Sequence, residues 1–230
     1  MPAWTLSADP THVTPFDVFA QSNGGSDLMV HALLCSEEIS RTDVVKGVYL
    51  KCVHMGPPLS QRDRQVEAVG TAVLTEEDIR KVKTFADDRL RERQAEEARL
   101  KLLKQTDLLR AEYCICPPAH RPTSSFSLWR FSCVGFVLLA YRTARIELLG
   151  APLPLRTLDE LKQFYPFHAA RLDDPETRKQ LGIGEGNSWP VALVGYVLHS
   201  LSRTPEAIRA AAHPPAAGDE FFPRRTGAAV

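Results

Sequence analysis

One stretch of the chain constrains its fold more than any other, because neither proline nor glycine occurs from Thr75 to Cys116. Glu, Arg, Lys, Ala and Leu dominate this stretch, and all of them favour helix. Thr75 is a suitable N-cap, and the acidic residues after it suit the positive end of a helix dipole. We predict a long charged helical segment at about 75–112, formed by one helix or by two consecutive ones. Its most charged part, Arg89–Arg99, is expected to be exposed to solvent or to contain a break.

The chain before this segment has a different pattern of residues. Short apolar runs, rich in β-branched residues, alternate with turn-prone sequences such as Ser22–Ser26. The runs are Phe16–Ala20, Leu28–Cys35, Val44–His54 and Gln65–Val73. Their lengths and the turns between them predict three or four strands of an antiparallel sheet. Together with the helices, this pattern indicates an α+β fold in which the sheet packs against helices.

Further helices are predicted beyond the charged segment. Apolar residues indicate one helix over Ser132–Leu149, which Gly150 would close, and another over Trp189–Leu201, where Pro190 suits a first turn. A helix between them starts near Thr157. The domain organisation that we expect is a core at 1–150, a helical extension at 151–204 that packs on the core, and a flexible tail rich in Ala and Pro at 205–230.

The composition narrows the classes of partner. Lys plus Arg and Asp plus Glu both number 28, so the net charge is zero, which argues against nucleic acid as a partner. The longest apolar run, Val134–Tyr141, is far shorter than the roughly 20 residues of a membrane span. The first residues lack the pattern of an export signal, and the five cysteines suit a reducing compartment. We therefore expect a cytoplasmic protein with no membrane span.

Cys133 is the first candidate for chemistry. If Ser132 caps the following helix, Cys133 lies in its first turn, where free N–H groups and the helix dipole stabilise a thiolate. The thiolate is the form of cysteine that attacks a carbonyl. Gly135 would let another backbone or a substrate approach this turn. The local sequence also allows the alternative that Cys133 is a small buried apolar residue.

A cysteine nucleophile needs a base and a group that orients the base. Two histidines, His31 and His54, lie in the predicted strands, each with apolar neighbours. If the two strands are neighbours in the sheet, these side chains can act as base and orienter. A purely structural role for both histidines is the alternative.

These segments resemble the circularly permuted branch of the NlpC/P60 papain-like superfamily, which includes the YiiX/YebB-type proteins and the lecithin:retinol acyltransferase-like enzymes. The matching segments are Val30–Leu34, as the histidine strand, and Ser132–Tyr141, as the cysteine helix. The resemblance covers roughly residues 15–145 and implies a permuted papain-like core with a helical insertion. It further implies Cys133 as nucleophile, His31 as base, His54 as third polar residue and Tyr113 as a donor to the oxyanion.

The sequence departs from the family pattern in three places. Val134 replaces the usual small or acidic residue after the cysteine, and the long charged helical segment is an insertion. The spacing between His31 and His54 is long for the family. Three acidic residues are therefore alternatives to His54 as the third polar residue of the site: Glu37, Glu38 and Asp43.

A metal site is an alternative that the cysteines raise. Cys114, Cys116 and His120 can supply three ligands, with Cys133 or Cys52 as the fourth. However, Cys-x-Cys is not the usual zinc-knuckle spacing, and no second close pair is present. We predict no metal and no cofactor, and we keep a small zinc-binding protein as an alternative.

The function that these observations favour is a thiol-dependent hydrolase (an amidase or thiol protease) or an acyltransferase. The enzyme would act on a small amide or ester, a lipid or a protein tail through a thioester intermediate. The alternative from another class is a non-catalytic binding or assembly protein that docks a protein partner on the charged segment Ile79–Leu109.

Overall fold

The computed structural model describes residues 15–22, 28–36, 41–43, 47–56, 58–65, 68–105, 112–121 and 128–221. It shows an α+β fold, as predicted, with a six-stranded sheet whose paired strands are all antiparallel. The strands are β1 (Val18–Ser22), β2 (Met29–Cys35), β3 (Arg41–Asp43), β4 (Gly47–Met55), β5 (Leu59–Gln65) and β6 (Ala68–Gly70). The sequence predicted three or four strands, and it missed β3 and β5 because their residues are mostly polar.

Strand β4 organises the sheet. It pairs with β5 along one edge and with both β3 and β2 along the other, and the sheet continues from β2 through β1 to β6. The ladder between β2 and β4 is short: it pairs Leu34 with Val53 and Cys35 with Cys52. On its other edge, β2 pairs with β1 over five positions, with an irregularity next to Ser22. The short ladder leaves the first half of β2 without a partner strand on the β4 side.

The charged segment forms one unbroken helix, α1 (Glu76–Leu102). Thr75 caps it, and the predicted acidic start is confirmed, because Thr75 and Asp78 form a reciprocal capping box. Val82 and Ala86 face the core. The charges on the exposed side pair within the helix, for example Lys81–Glu77, Lys83–Asp87, Arg91–Asp88 and Arg99–Glu96. Such i,i+3 and i,i+4 pairs are typical of a solvated helix face.

Helix α2 (Cys133–Thr143) begins where the sequence predicted it, with Ser132 as N-cap accepting from the Gly135 N–H at 2.9 Å. Gly135 lies directly against a backbone, because a Cβ there would come within 1.6 Å of the Pro118 carbonyl oxygen. The predicted end at Leu149 is wrong. Arg145 adopts a left-handed φ of 61°, and Ile146 donates back to the Tyr141 carbonyl, which ends the helix in a Schellman-type turn without glycine.

The rest of the described chain after α1 adds two small two-stranded sheets and four short helices. The sheets pair β7 (Ala119–His120) with β8 (Arg130–Phe131) and β9 (Leu155–Thr157) with β10 (Ser188–Pro190). The helices are α3 (Leu158–Phe164), α4 (Pro175–Gln180), α5 (Val194–Leu201) and α6 (Pro205–Ala210), and a 3₁₀ helix spans Pro166–Arg171. Apolar residues of α3 and α5 belong to the same buried cluster as α2 and the sheet.

Two predictions for this region are wrong. Pro190 ends strand β10 instead of opening the last buried helix, which begins at Val194. The tail that was expected to be flexible folds as far as 221: Ile208 of α6 is buried, and so is Glu220, which pairs with Arg156. Apolar burial and an internal ion pair explain why this segment is fixed. Residues 222–230 lie outside the described part of the chain.

Within the described ranges, no helix combines the length and the apolar character that crossing a membrane requires.

Candidate active site

Two imidazoles from different strands form the centre of the site. His31 lies in β2 and His54 in β4, and His31 Nε2 is 3.0 Å from His54 Nδ1. The rings meet edge to face, with centroids 5.0 Å apart. Gly56 leaves room for this arrangement, because a Cβ there would lie 3.0 Å from two atoms of the His54 ring. The histidines therefore meet the requirement that base and orienter lie on neighbouring strands.

Arg64 of β5 sets the direction of the hydrogen bond between the histidines. Its Nε and Nη2 lie 3.3 and 3.2 Å from His54 Nε2, where Ser60 Oγ also lies at 3.3 Å. Arginine only donates, so His54 Nε2 accepts. A neutral His54 then carries its proton on Nδ1 and donates it to His31 Nε2. The same reasoning assigns the proton of a neutral His31 to Nδ1, so His31 rests as a donor at that atom.

Both imidazoles are uncharged at neutral pH. Burial and the nearby Arg64 charge lower the pKa of His31 to about 4. Burial, the neighbouring His31 and the charges of Arg64 and Arg62 lower the pKa of His54 to about 3. A buried group surrounded by cationic neighbours resists a further positive charge, and this accounts for both directions.

These pKa values predict a loss of stability in acid. Between pH 6.5 and about 4, the unfolded chain protonates His31 and His54 while the folded chain does not, so the free energy of unfolding falls as the pH falls. We expect a loss of a few kcal/mol between pH 7 and pH 4.5, at ~1.4 kcal/mol per pK unit. Urea denaturation at both pH values measures it. The double variant His31→Gln/His54→Gln should lose much less, whereas His199→Gln should behave as wild type. An equal acid loss in the double variant would contradict the assignment.

Cys133 lies next to the part of β2 that precedes its short ladder with β4. Its side chain is 2% exposed, and it is the first residue of α2. The Cys35 N–H donates to the carbonyl of Asp17, directly before β1, so by alternation the N–H of Ala32 points towards β4, where no described residue pairs with it in the ladder. The thiol lies against this N–H instead. Burial raises the pKa of Cys133, although the backbone groups of Ala32 and Val134 act in the opposite direction.

The thiol of Cys133 and the imidazole of His31 lie on opposite faces of β2 and are not bonded to each other. Ala32 belongs to the buried cluster that contains Cys133, so the neighbouring His31 projects from the other face of β2. In the described part of the chain, no hydrogen bond joins the sulfur of Cys133 to His31 or to His54. The resting site thus holds a neutral thiol on one face of β2 and a neutral imidazole pair on the other.

Tyr113 connects the two halves of the site. It is buried next to Cys133, and burial, with further contributions from Cys133 and Tyr165, raises the pKa of its phenol well above the usual value. Its ring stacks on His168 with centroids 4.9 Å apart. A phenol that keeps its proton at every physiological pH is a suitable hydrogen-bond donor to an oxyanion.

A cavity of about 340 Å³ opens above the histidines. Its described lining comprises Gln21, Ser22, Val30, His31, His54, Met55, Gly56, Arg64, Tyr113, Tyr165, Pro166, Phe167 and His168. Cys133 lines a much smaller neighbouring pocket of about 10 Å³, and Val30 and Tyr165 border both spaces. These two side chains therefore form the wall between the thiol and the cavity.

The remaining sequence candidates are two pairs and one single residue. Glu37 and Glu38 lie outside the described residues, and Asp43 belongs to the short edge strand β3. Cys114 and Cys116 donate to the carbonyls of Pro117 and Pro190, respectively. The described residues contain no group of three or more His, Cys, Asp or Glu side chains placed to hold a metal ion.

Several residues of the site escaped the sequence analysis. Arg64 lies in the polar strand β5, and Tyr165, Phe167 and His168 come from the turn after α3. The alternation of Ser60, Arg62 and Arg64 with other polar residues gave no apolar signal for a strand. The aromatic run at 164–168 was the one local pattern that could have indicated a binding surface.

Comparisons of the chain with protein-family models, with curated proteins and with solved structures find no match. The resemblance to permuted NlpC/P60 papain-like proteins therefore rests on the His31 strand and the Cys133 helix alone, and the activity that it implies is a proposal.

Proposed function

We propose that this protein is a thiol-dependent hydrolase or acyltransferase that acts on an amide or ester through Cys133 and His31. The observation that supports this most is the bonded pair of histidines on two strands, at the edge of a cavity that shares Val30 and Tyr165 with a smaller pocket lined by Cys133.

The chemistry follows from the atoms. The Cys133 sulfur bonds to the substrate carbonyl carbon, and its proton passes to His31. The C–N or C–O bond to the leaving group then breaks, and His31 returns the proton to that group. The thioester that remains on Cys133 is cleaved by water, which gives hydrolysis, or by another nucleophile, which gives acyl transfer. Tyr113 and the first N–H groups of α2 are the donors available to the oxyanion.

Acylation of the native protein with p-nitrophenyl acetate tests this proposal. Peptide mass spectrometry should locate the acetyl group on Cys133 before it appears on any of the other four cysteines. Removing the base usually costs about 10²–10⁴-fold in rate, so His31→Gln should slow acetylation of Cys133 by at least the lower figure. The proposal is refuted if Cys133 is acetylated only after unfolding, or no faster than Cys114 and Cys116. Either result would favour a non-catalytic protein.

The alternative of a non-catalytic binding protein has less support than the enzyme. Most exposed charges of α1 pair with each other within the helix, which is typical of a solvated helix face. A protein partner on this helix stays a prediction.

A further inference from the structure

The described lining of the cavity contains a fixed positive charge without a matching negative one. Arg64 is half-buried, and two of its nitrogens point at the single nitrogen His54 Nε2. Among the described residues, no carboxylate forms an ion pair with Arg64, and none lines the cavity. A guanidinium has five N–H groups in a planar fork that matches a carboxylate or a phosphate. Its contact with one imidazole nitrogen uses little of that capacity.

The surroundings strengthen this imbalance. The charged groups that face the two imidazoles are Arg64 and, for His54, also Arg62 of the same strand. The other titratable groups in the described lining are two buried tyrosines and His168, which carry no negative charge at neutral pH. A partly enclosed cavity with charge of one sign raises the local concentration of ligands of the opposite sign. The rings of Tyr165 and Phe167 supply an apolar surface beside that charge.

We propose that the cavity takes a substrate with an anionic oxygen group, a carboxylate or a phosphate, on an aromatic or apolar body, and that pairing of this group with Arg64 shifts His31 towards the tautomer that acts as a base. This inference rests on the proposed function for its catalytic meaning. The anion is the chemistry that the guanidinium recognises; Phe167, which is 74% exposed at the edge of the cavity, contacts the apolar body.

The switch follows from the direction of the hydrogen bonds. In the resting site, Arg64 donates to His54 Nε2, so the protons lie on Nδ1 of both histidines. An anion that engages Arg64 frees His54 Nε2 to take a proton from water. The His54 Nδ1 proton then moves to His31 Nε2, and the His31 Nδ1 proton leaves to solvent. Each imidazole still carries one proton, and His31 Nδ1 has become the acceptor that a thiol needs.

Neutralising the charge of Arg64 also makes His31 a better base. The positive charge of Arg64 contributes to the lowered pKa of both histidines, so an ion pair with the substrate raises both values towards the ordinary one. A base with a pKa nearer to neutral accepts a thiol proton more readily. The substrate therefore activates the site that cleaves it.

Histidine NMR with three small probes tests the proposal on the Cys133→Ala protein, in which no acylation can interfere. Two-bond ¹H–¹⁵N spectra distinguish the tautomers. Benzoate and phenyl phosphate should bind and move the protons of His31 and His54 from Nδ1 to Nε2, whereas neutral benzamide should not. If one anion binds and the other does not, the anionic group is assigned to that class. Failure of both anions to bind, or equal binding of benzamide, overturns the inference.

Two arginine variants complete the test. Arg64→Met should weaken benzoate binding at least tenfold and place both histidines in the second tautomer without any ligand. Arg64→Lys keeps the charge and should retain binding to within about tenfold, since lysine binds anions as a point charge. Arg62→Met, the matched control on the same strand, should bind as wild type. Because these readouts do not involve Cys133, anion binding without thiol acylation rejects the proposed function alone, and acylation without anion binding rejects this inference alone.

Discussion

Cys133→Ala should abolish acyl turnover. With p-nitrophenyl acetate, the wild type should release a burst of p-nitrophenolate equal to the acyl-enzyme formed, and the variant should show neither the burst nor the acetylated peptide. Loss of a nucleophile typically costs about 10³–10⁶-fold in turnover, so residual hydrolysis should equal the background rate. Rapid-mixing absorbance at the nitrophenolate band measures the burst.

The matched control for this change is Cys116→Ala. Both thiols are buried, but the Cys116 sulfur donates to the Pro190 carbonyl and does not border the cavity wall. This control should keep the full burst, and both variants should unfold within a few degrees of wild type, because Cys→Ala removes a single buried atom. A Cys133→Ala protein that keeps the burst would show that another group accepts the acyl chain.

Arg93→Met should cause the largest loss of stability. Arg93 Nε and Glu112 Oε2 lie 3.3 Å apart, and their side chains are 6% and 3% exposed. Glu112 also accepts from the Leu59 N–H at 3.3 Å, so this pair joins α1 to the start of β5 and to the residue before Tyr113. Removing one partner of a buried ion pair typically costs about 3–5 kcal/mol, because the other charge stays buried without compensation. Urea denaturation at pH 8.5 measures the change.

The pH dependence distinguishes this cause from simple loss of packing. Burial raises the pKa of Glu112 to about 7, so the folded protein retains this proton above the pH at which the unfolded chain has lost it. Its contribution to stability is present at low pH and is lost as the pH rises through 7. The effect of Arg93→Met should therefore be smaller at pH 5.5 than at pH 8.5.

Two further variants serve as controls for Arg93→Met. Arg93→Met/Glu112→Leu should recover most of the lost stability, since the double change removes both charges. Arg142→Met, which breaks the exposed pair with Glu147, should leave stability nearly unchanged. A constant loss at every pH, without recovery in the double variant, would assign the role of Arg93 to packing.

The sequence predicted what short-range physics decides. The Thr75 capping box, the uninterrupted helix after it and the Ser132 cap that places Cys133 in the first turn of α2 all depend on residues within one helical turn. Where the chain departs from the usual residue signal, the prediction failed: Arg145 ends α2 in a left-handed conformation, although Gly150 was the stronger stop signal in the sequence. Likewise, Ile208 folds a tail that looked disordered by composition.

The pairing of the strands was beyond the sequence. His31 and His54 were both candidates, but their 3.0 Å contact depends on the register between β2 and β4, and one residue of slip would turn His31 to the other face. Arg64 was missed entirely, because nothing local distinguishes it from the other charged residues of β5.

The sequence by itself determined the α+β class and the position of Cys133 at a helix start. Only the tertiary structure decided that Arg64 reaches His54, that His31 therefore rests with its proton on Nδ1, and that Tyr165 and Val30 separate the thiol from the cavity. The physical reason is how far apart in the chain the interacting residues lie. Caps and helices form from interactions between neighbours in the chain, whereas the charge, burial and hydrogen-bond direction at a site are sums over residues that only the folded sheet brings together.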